Sequence, residues 1–286
     1  MLIEPDISYA NDTTFRRVFR RGCKKQTRCY NVWPSRSEGD CDMFKASAIL
    51  TYHSIDHSGS VISTSPAVFE RQMEALVACG VPVVPLDRVT EVRPSLALTF
   101  DDSYASFAEL AVPLLLRYQF PATVFVVSGH CGGSNAWSQP PFPNLKMMSW
   151  KALGDLPGDL VSLGAHTISH LNLTTLAGPH AAEEIHGSRA ALEDRTGRAV
   201  PFFAYPYGAS NAAVRGQVRN GFRMACGTTL RFLSEVEDAC DLPRIDAFYL
   251  RKTERFRKFV SGRAGSYLLL RRFLRGWRSG MTQCVH

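Results

Sequence analysis

The chain has 286 residues, and its formal net charge is +7. No apolar run approaches the ~18 residues of a transmembrane helix, and the N-terminus lacks the basic start and apolar stretch of a secretory signal. The sequence therefore predicts a cytoplasmic protein with a substantial core and no membrane-spanning helix. In that compartment we expect free thiols at the eight cysteines, with Cys79 and Cys226 buried.

The positive charge lies at the two ends of the chain. Residues 251–286 contain ten Lys or Arg and one acidic residue, whereas residues 46–250 contain fourteen basic and nineteen acidic residues. The basic balance therefore does not indicate a nucleic-acid groove in the core. These shifts predict three parts: a polar, loosely ordered N-terminal extension at 1–45, a core domain at 46–250 and a basic tail at 251–286.

Short apolar segments alternate with amphipathic segments through the core domain. Predicted strands lie at 46–52, 81–86, 96–100 and 122–127, in a segment ending at His166, and at 202–205 and 221–226. Predicted helices lie between Pro66 and Gly80, from Phe107 to Leu115, and at 149–156, 181–196 and 211–219. This alternation predicts a mostly parallel sheet, open or closed into a barrel. Residues 128–147 are expected to form a functional loop over one end of it.

Two adjacent carboxylates, Asp101 and Asp102, follow the apolar strand at 96–100. A strand that ends in charge places that charge at the rim of the sheet, where side chains from several strands converge. Because neighbouring carboxylates repel each other, both stay ionised only beside a metal ion or an arginine. The simpler interpretation is that Asp102 caps the following helix.

A pair of histidines, His166 and His170, follows another apolar segment. A spacing of four residues places both imidazoles on one face of a helical turn, within reach of one cation, although such pairs also occur on ordinary surfaces. Two imidazoles and one carboxylate suit Zn²⁺ or a similar metal, and three protein ligands leave a coordination position for water. Together with the carboxylates, the pair predicts a catalytic metal site.

Three segments, in this order, resemble the central motifs of the polysaccharide deacetylases, the NodB-type domains of carbohydrate esterase family four. They are Thr99-Phe100-Asp101-Asp102, His166-Thr167-Ile168-Ser169-His170 and Phe203-Ala204-Tyr205-Pro206-Tyr207-Gly208. Four more segments resemble the exopolysaccharide-biosynthesis branch: Tyr52-His53-Ser54-Ile55, Asn135-Ala136-Trp137, Met148-Ser149-Trp150 and Leu242-Pro243-Arg244-Ile245. The resemblance spans about residues 47–250. It implies that 46–250 is the catalytic domain, an α/β fold with a distorted (β/α) barrel of about seven mostly parallel strands.

The resemblance also implies roles for single residues. Asp102, His166 and His170 hold a divalent cation, Zn²⁺ in the first place, with Co²⁺ or Ni²⁺ as alternatives. Asp101 is the general base that takes a proton from water. The backbone N–H of Tyr207 helps to hold the tetrahedral oxyanion, although a plain turn explains this segment as well.

Two departures from the family pattern affect the catalytic residues. Many members carry an arginine at the position of Ala204, where it orients the general base; Arg244 is the candidate replacement, unless it is a surface residue. The late Leu-x-His motif, whose imidazole protonates the leaving amine, is absent. His53, at the end of the first strand, is the candidate acid. The alternatives are a structural role for His53 and protonation by solvent.

The implied substrate is an N-acetylhexosamine unit of a polysaccharide or of a lipid-linked glycan. Trp137, Tyr205 and Tyr207 are candidates to stack on sugar rings, whereas Trp150 is expected to pack at the start of a helix. An amide hydrolase with a non-sugar substrate is the second interpretation, and a glycan-binding protein without catalysis is the third. The third is disfavoured because binding alone needs no open metal position.

The tail contains a basic amphipathic segment. One face of the predicted helix carries Tyr267, Leu270, Phe273, Leu274 and Trp277, and the arginines at 271, 272, 275 and 278 lie beside it. Such a helix lies on the inner face of an anionic membrane, as a peripheral contact, or docks on the barrel with its arginines in water. The pattern is compatible with both.

Overall fold

The computed structural model describes residue 44 and residues 46–138, 140 and 142–283, the last eight of these by their backbone alone. The predicted N-terminal extension, with Cys23, Cys29 and Cys41, lies outside the described residues, apart from Phe44. The side chains of Trp277 and Arg278 also lie outside them.

Strands and helices alternate along the described part of the chain. The strands are β1 (Ala48–Tyr52), β2 (Ser54–Ile55), β3 (Ser63–Thr64), β4 (Leu96–Phe100), β5 (Ala122–Val126), β6 (Val161–Ala165), β7 (Phe202–Ala204), β8 (Met224–Cys226) and β9 (Ile245–Asp246). The α-helices are α1 (Pro66–Ala78), α2 (Val112–Tyr118), α3 (Trp150–Gly154), α4 (Gly178–Ala182), α5 (Ser188–Thr196), α6 (Ala212–Arg219), α7 (Thr253–Val260) and α8 (Gly265–Gln283). A π-helical turn, Glu183–Gly187, joins α4 to α5.

Seven strands form one parallel sheet in the order β8-β7-β6-β5-β4-β1-β9. The sheet is curled, and one segment links its two edges: Leu242 pairs with Cys226 of β8, and Ile245 pairs with Leu50 of β1. This arrangement confirms the α/β fold with a distorted barrel of about seven mostly parallel strands. The strand predicted at 81–86 is wrong, because only Val83 bridges to the sheet and the chain then enters a 3₁₀ turn.

Alternation along the strands separates two buried layers. In β4, Leu96, Leu98 and Phe100 belong to the main core under the helices, whereas Ala97 belongs to a smaller cluster inside the barrel. Side chains alternate between the two faces of a strand, so Thr99 and then Asp101 continue the inner row. The strand pattern therefore directs Asp101 towards the mouth of the barrel.

The first part of the basic tail belongs to the folded domain. Phe256 and Phe259 of α7 and Leu268 of α8 are buried in the main core. The tail therefore cannot be removed at residue 250 without opening that core. In the described part of the chain, none of the helices combines the length and apolarity that crossing a bilayer requires.

The prediction of free thiols is confirmed at Cys131, Cys226 and Cys240 and is wrong at Cys79. Cys226 is a buried free thiol inside the barrel. Cys79, in contrast, is half-buried at the end of α1 and disulfide-bonded. An apolar neighbourhood in sequence indicates burial but does not reveal a distant cysteine partner.

Candidate metal centre and active site

The side chains of Asp102, His166 and His170 meet at the carboxyl ends of β4 and β6, and all three are buried. One ligand atom of each lies within 4.8 Å of the others. Oδ1 of Asp102 is 3.5 Å from Nε2 of His166 and 3.3 Å from Nε2 of His170. Parallel strands bring their carboxyl ends to one rim, which is why residues 64 positions apart in sequence converge here.

The donor atoms of this cluster fit a divalent cation. Within the described residues, Oδ1 of Asp102 and Nδ1 of His170 are buried without a hydrogen-bond partner. A buried carboxylate oxygen without a donor costs about 1–3 kcal/mol or more, and a cation bound there removes this cost. Nδ1 of His166 lies 2.7 Å from the carbonyl oxygen of Ala204, so this nitrogen carries the proton and Nε2 keeps its lone pair for a metal.

The backbone of these loops is left-handed. φ is +68° at Asp102, +67° at Thr167, +57° at His170 and +59° at Tyr207. Such conformations cost about 1–2 kcal/mol per residue for L-amino acids, and strained residues cluster at active sites and ligand-binding loops. The histidines therefore come together through a left-handed turn after β6, and the helical turn predicted from their spacing is wrong.

Arg244 holds Asp101 with two parallel hydrogen bonds. Nη1 and Nη2 of Arg244 donate to Oδ1 and Oδ2 of Asp101 at 2.6 and 2.8 Å, and Nε donates to the carbonyl oxygen of Gly227 at 2.9 Å. Arg244 is only 3% exposed, so the interpretation as a surface residue is wrong and the predicted contact with Asp101 is present. Burial alone raises the pKa of the Asp101 carboxyl, but the charges of Arg244, His166 and His53 outweigh it and lower that pKa.

The position of Arg244 accounts for the departure at Ala204. Ala204 is fully buried in the cluster inside the barrel, and the Arg244 guanidinium lies 5.5 Å above the ring of Phe125 in the same cluster. The arginine that contacts Asp101 therefore enters from the segment before β9, whereas the family pattern places an arginine on β7.

His53 and Tyr207 border the same site. Nε2 of His53 is 3.9 Å from Oδ2 of Asp101, and the imidazole is partly exposed at the end of β1. Tyr207 is 61% exposed, and its ring contacts His170 edge-on at 4.7 Å. Both residues therefore lie at the mouth of the barrel, His53 next to Asp101 and Tyr207 next to His170.

Of the three aromatic candidates for sugar stacking, Trp137 and Tyr207 lie at the site and Tyr205 lies in the core. The Trp137 ring is stacked on His170 at 4.6 Å, in the loop predicted over the sheet. Tyr205 is 1% exposed, and its hydroxyl donates to the carbonyl of Cys240 at 2.7 Å, so its assignment to sugar stacking is wrong. The next residue in the alternation, after an inward-facing Ala204, has to point into the core under the helices. Trp150 begins α3 after the Ser149 cap, as predicted.

Sequence reasoning missed Glu184, which supports the histidine turn. One of its oxygens accepts hydrogen bonds from the backbone N–H groups of Ile168 and Ser169, both at 2.9 Å. Glu184 is buried in the π-helical turn. The signal was available in the sequence, because Glu184 interrupts the apolar face of the predicted helix between Ala181 and Ile185.

Residues 88–225 match the sequence model of the family described as polysaccharide deacetylase. Residues 88–225 therefore belong to the polysaccharide deacetylase family. Asp101, Asp102, His166, His170 and Tyr207 all lie inside the matched range.

Among relatives of this chain, the Bacillus subtilis protein YxkH is 25% identical over 189 residues, 63% of either chain. A poly-beta-1,6-N-acetyl-D-glucosamine N-deacetylase of Staphylococcus aureus is 29% identical over 128 residues, 42% of either chain. The chain thus spans less than two thirds of the length of these curated relatives.

Solved structures share the fold. IcaB from Ammonifex degensii superposes with a TM-score of 0.65 at 23% identity, over 78% of this chain and 98% of that one. The Streptococcus pyogenes deacetylase PplD in complex with acetate superposes with a TM-score of 0.61 at 21% identity, over 70% of this chain and 92% of that one.

Proposed function

We propose that this chain is a metal-dependent hydrolase that removes N-acetyl groups from N-acetylhexosamine units of a glycan. The observation that carries the proposal is the pairing of two differently held carboxylates at one rim. Asp102 faces two imidazoles, and its Oδ1 has no hydrogen-bond partner among the described residues, whereas Asp101 accepts hydrogen bonds from Arg244. This division separates a metal ligand from a general base, as hydrolysis of an amide requires.

Asp102, His166 and His170 would hold the cation, with Zn²⁺ as the proposed metal and Co²⁺ or Ni²⁺ as alternatives. When bound, it would polarise the acetamide carbonyl and lower the pKa of a water molecule. Asp101 accepts the proton of the attacking water, and Arg244 keeps this carboxylate ionised and oriented. The Tyr207 N–H stabilises the oxyanion, and His53 protonates the leaving amine.

The glycan class rests on the relatives and on Trp137. The Staphylococcus aureus relative is named for poly-beta-1,6-N-acetyl-D-glucosamine. Trp137 and the exposed ring of Tyr207 flank His170 and offer apolar faces to a sugar ring. Binding without catalysis is disfavoured, because the buried Arg244–Asp101 pair gives a non-catalytic protein no advantage in binding glycans.

Acetate release from acetylated β-1,6-linked glucosamine oligomers and from chitooligosaccharides tests the proposal, together with metal analysis of the same preparations. Asp101→Asn should lower kcat by ~10²–10⁴-fold while the metal content stays unchanged. Asp102→Asn should lose the metal. Normal turnover by Asp101→Asn, or a wild-type chain that binds no metal and is indifferent to chelators, would contradict the proposal. Turnover of simple formamides but of no sugar would favour the non-sugar amide hydrolase.

We also propose a peripheral contact of α8 with an anionic membrane, compatible with a lipid-linked glycan. Tyr267 and Leu268 dock α8 onto the domain, whereas Leu269, Leu270 and Phe273 point away from it, 66%, 56% and 70% exposed. The apolar face predicted from the sequence is therefore split between docking and exposure. Ten basic residues and one acidic residue at 251–286 complement anionic lipid.

Vesicle flotation tests the contact with the full chain, because truncation at residue 250 removes core side chains. Leu269→Ser/Phe273→Ser should float less with phosphatidylglycerol vesicles than the wild type does. Equal flotation of both proteins would exclude this contact. The cytoplasmic location remains a prediction from the sequence, to be checked by cell fractionation.

A further inference from the structure

A basic cavity of about 200 Å³ lies outside the groups assigned to hydrolysis. It is formed by the 3₁₀ turn after β9 (Ala247–Leu250), by α7 and by α8. Four cationic side chains line it: Arg251, Lys252, Arg255 and Arg271. The aromatic lining consists of Phe248, Tyr249 and Tyr267.

Within the described part of the chain, no acidic side chain forms an ion pair with the cations of this cavity. None of the four cations has a carboxylate within 4 Å among the residues that the structure describes. Glu254, the acidic residue of the tail, pairs with Lys258 at 3.0 Å, and Asp246 accepts the backbone N–H of Phe248. Four like charges around one small space repel each other, and a bound anion relieves this repulsion.

The cavity is also pre-organised. Arg251 lies 4.2 Å above the Phe248 ring, and its Nη1 donates to the carbonyls of Ser60 and Ser63 at 3.0 and 3.2 Å. Arg255 lies 4.8 Å above Tyr267. Cation–π contacts hold guanidinium groups in place without using their N–H donors. The N–H donors of Arg255, and those of Arg251 other than Nη1, therefore stay available to a ligand.

Arg271 supplies an independent observation. Its guanidinium lies 5.0 Å above the Tyr249 ring, and its Nε is buried without a hydrogen-bond partner among the described residues. A buried, charged N–H group without an acceptor is costly. Guanidinium N–H forks match the oxygens of a phosphate group better than any other common anion except carboxylate.

We infer that this cavity binds the phosphate group of an anionic ligand. The exposed apolar residues Leu269, Leu270 and Phe273 lie on the same helix as Arg271, which favours the phosphate of a lipid headgroup over a soluble phosphate. The cavity follows β9, the sheet neighbour of β1, so it lies at the same rim as His53. This inference does not rest on the deacetylase proposal.

Calorimetric titration with pyrophosphate and flotation with phosphatidylglycerol or phosphatidylcholine vesicles test the inference with the full chain. Arg255→Gln should weaken pyrophosphate binding at least fivefold, and so should Arg271→Gln. Arg257→Gln is the matched control, because it removes one charge from an exposed position of α7 outside the cavity. It should change binding less than twofold.

The outcomes separate the sources of the ligand. Loss of both pyrophosphate binding and phosphatidylglycerol flotation in Arg255→Gln supports a lipid phosphate, and loss of pyrophosphate binding alone supports a soluble one. Absence of binding by the wild type in both assays overturns the inference. Equal losses in Arg255→Gln and Arg257→Gln also overturn it, because they indicate a diffuse charge effect. Arg255→Gln should still release acetate from uncharged oligosaccharides at the wild-type rate. Failure of the phosphate inference can therefore be distinguished from failure of the deacetylase proposal.

Discussion

At the scale of single residues, the adjacent carboxylates of Asp101 and Asp102 have different neighbours, and we propose different roles for them. Burial opposes ionisation of both carboxyls, and the imidazoles of His166 and His170 hold the pKa of Asp102 well below its usual range. At Asp101 the guanidinium of Arg244 has the same effect and also fixes the orientation of both oxygens. In the proposed mechanism, Asp102 therefore binds the cation and Asp101 acts as the base.

Arg244→Gln should lower kcat about 100-fold while KM and zinc affinity stay within about threefold, because Asp101 loses its orientation but the metal ligands do not change. The free energy of unfolding should fall by about 3 kcal/mol, because a buried carboxylate loses its partner. Steady-state kinetics, zinc titration and urea unfolding measure these effects.

The Asp101→Asn background supplies the control for Arg244→Gln. In that background Arg244→Gln should lower the free energy of unfolding by at least about 1 kcal/mol less than it does in the wild type, because no buried anion is left unpaired. Equal costs in both backgrounds would show that Arg244 stabilises the fold by packing alone.

At the scale of elements, the proposed metal ligands lie on loops that neighbouring elements stabilise. The π-helical turn before α5 presents Glu184 to the turn between His166 and His170. The loop after β5 contacts the same turn, since Gly129 N–H donates to the carbonyl of Ile168 at 2.9 Å. Two neighbouring segments therefore stabilise the turn that contains the left-handed residues.

Glu184→Ala should weaken zinc binding about 10- to 100-fold, because the turn that presents His170 loses two hydrogen bonds from backbone donors. Competition with a chromophoric chelator measures the affinity. Glu183→Ala, at the adjacent exposed position, is the matched control and should leave the affinity unchanged. If both variants bind zinc like the wild type, Glu184 does not position the ligands.

The strand β6 requires a glycine at one position. A Cβ at Gly164 would overlap the ring of Phe125 inside the barrel, whereas one at Gly216 in α6 would meet nothing within 4 Å. Gly164→Ala should lower the free energy of unfolding by about 1–3 kcal/mol. Gly216→Ala should raise it by up to about 1 kcal/mol, because alanine favours the helix. Urea unfolding of both variants checks the two signs, and destabilisation by Gly216→Ala would contradict the helix assignment.

At the scale of the molecule, the barrel is closed by the long segment between β8 and β9, which also delivers Arg244. Glu237 organises this segment: it accepts hydrogen bonds from Arg231 at 2.6 and 2.8 Å and from the backbone N–H of Ser234 at 2.6 Å. Burial alone raises the pKa of Glu237, but these hydrogen bonds outweigh it and lower that pKa to about 2. Stability of the closure is therefore linked to pH.

Glu237→Gln should cost about 2 kcal/mol of unfolding free energy at pH 7, a value reduced for the partly exposed Arg231. Because the folded pKa is depressed, this stabilisation is complete above the unfolded pKa of about 4.3 and is lost as the pH falls towards 2. The difference between wild type and variant should therefore shrink below pH ~4.5. Urea unfolding between pH 2.5 and 7 measures it, with the exposed Glu235→Gln as control. A difference that does not change with pH would show that the charge of Glu237 is not involved.

The sequence by itself determined the parallel α/β architecture and the residues that gather at the rim. Apolar strands ending in Asp101, Asp102 and His166 are local patterns, and parallel strands bring all their carboxyl ends to one edge. The order of the motifs also determined the family, which the family match confirms.

Only the tertiary structure decided which distant groups touch. Arg244 reaches Asp101 across 143 positions because the last segment closes the curled sheet, and no local period encodes such a contact. Docking of α8 through Tyr267 likewise turned Leu269 and Phe273 outward. Periodicity tells which side chains share a face, but the partner of that face depends on how remote segments pack.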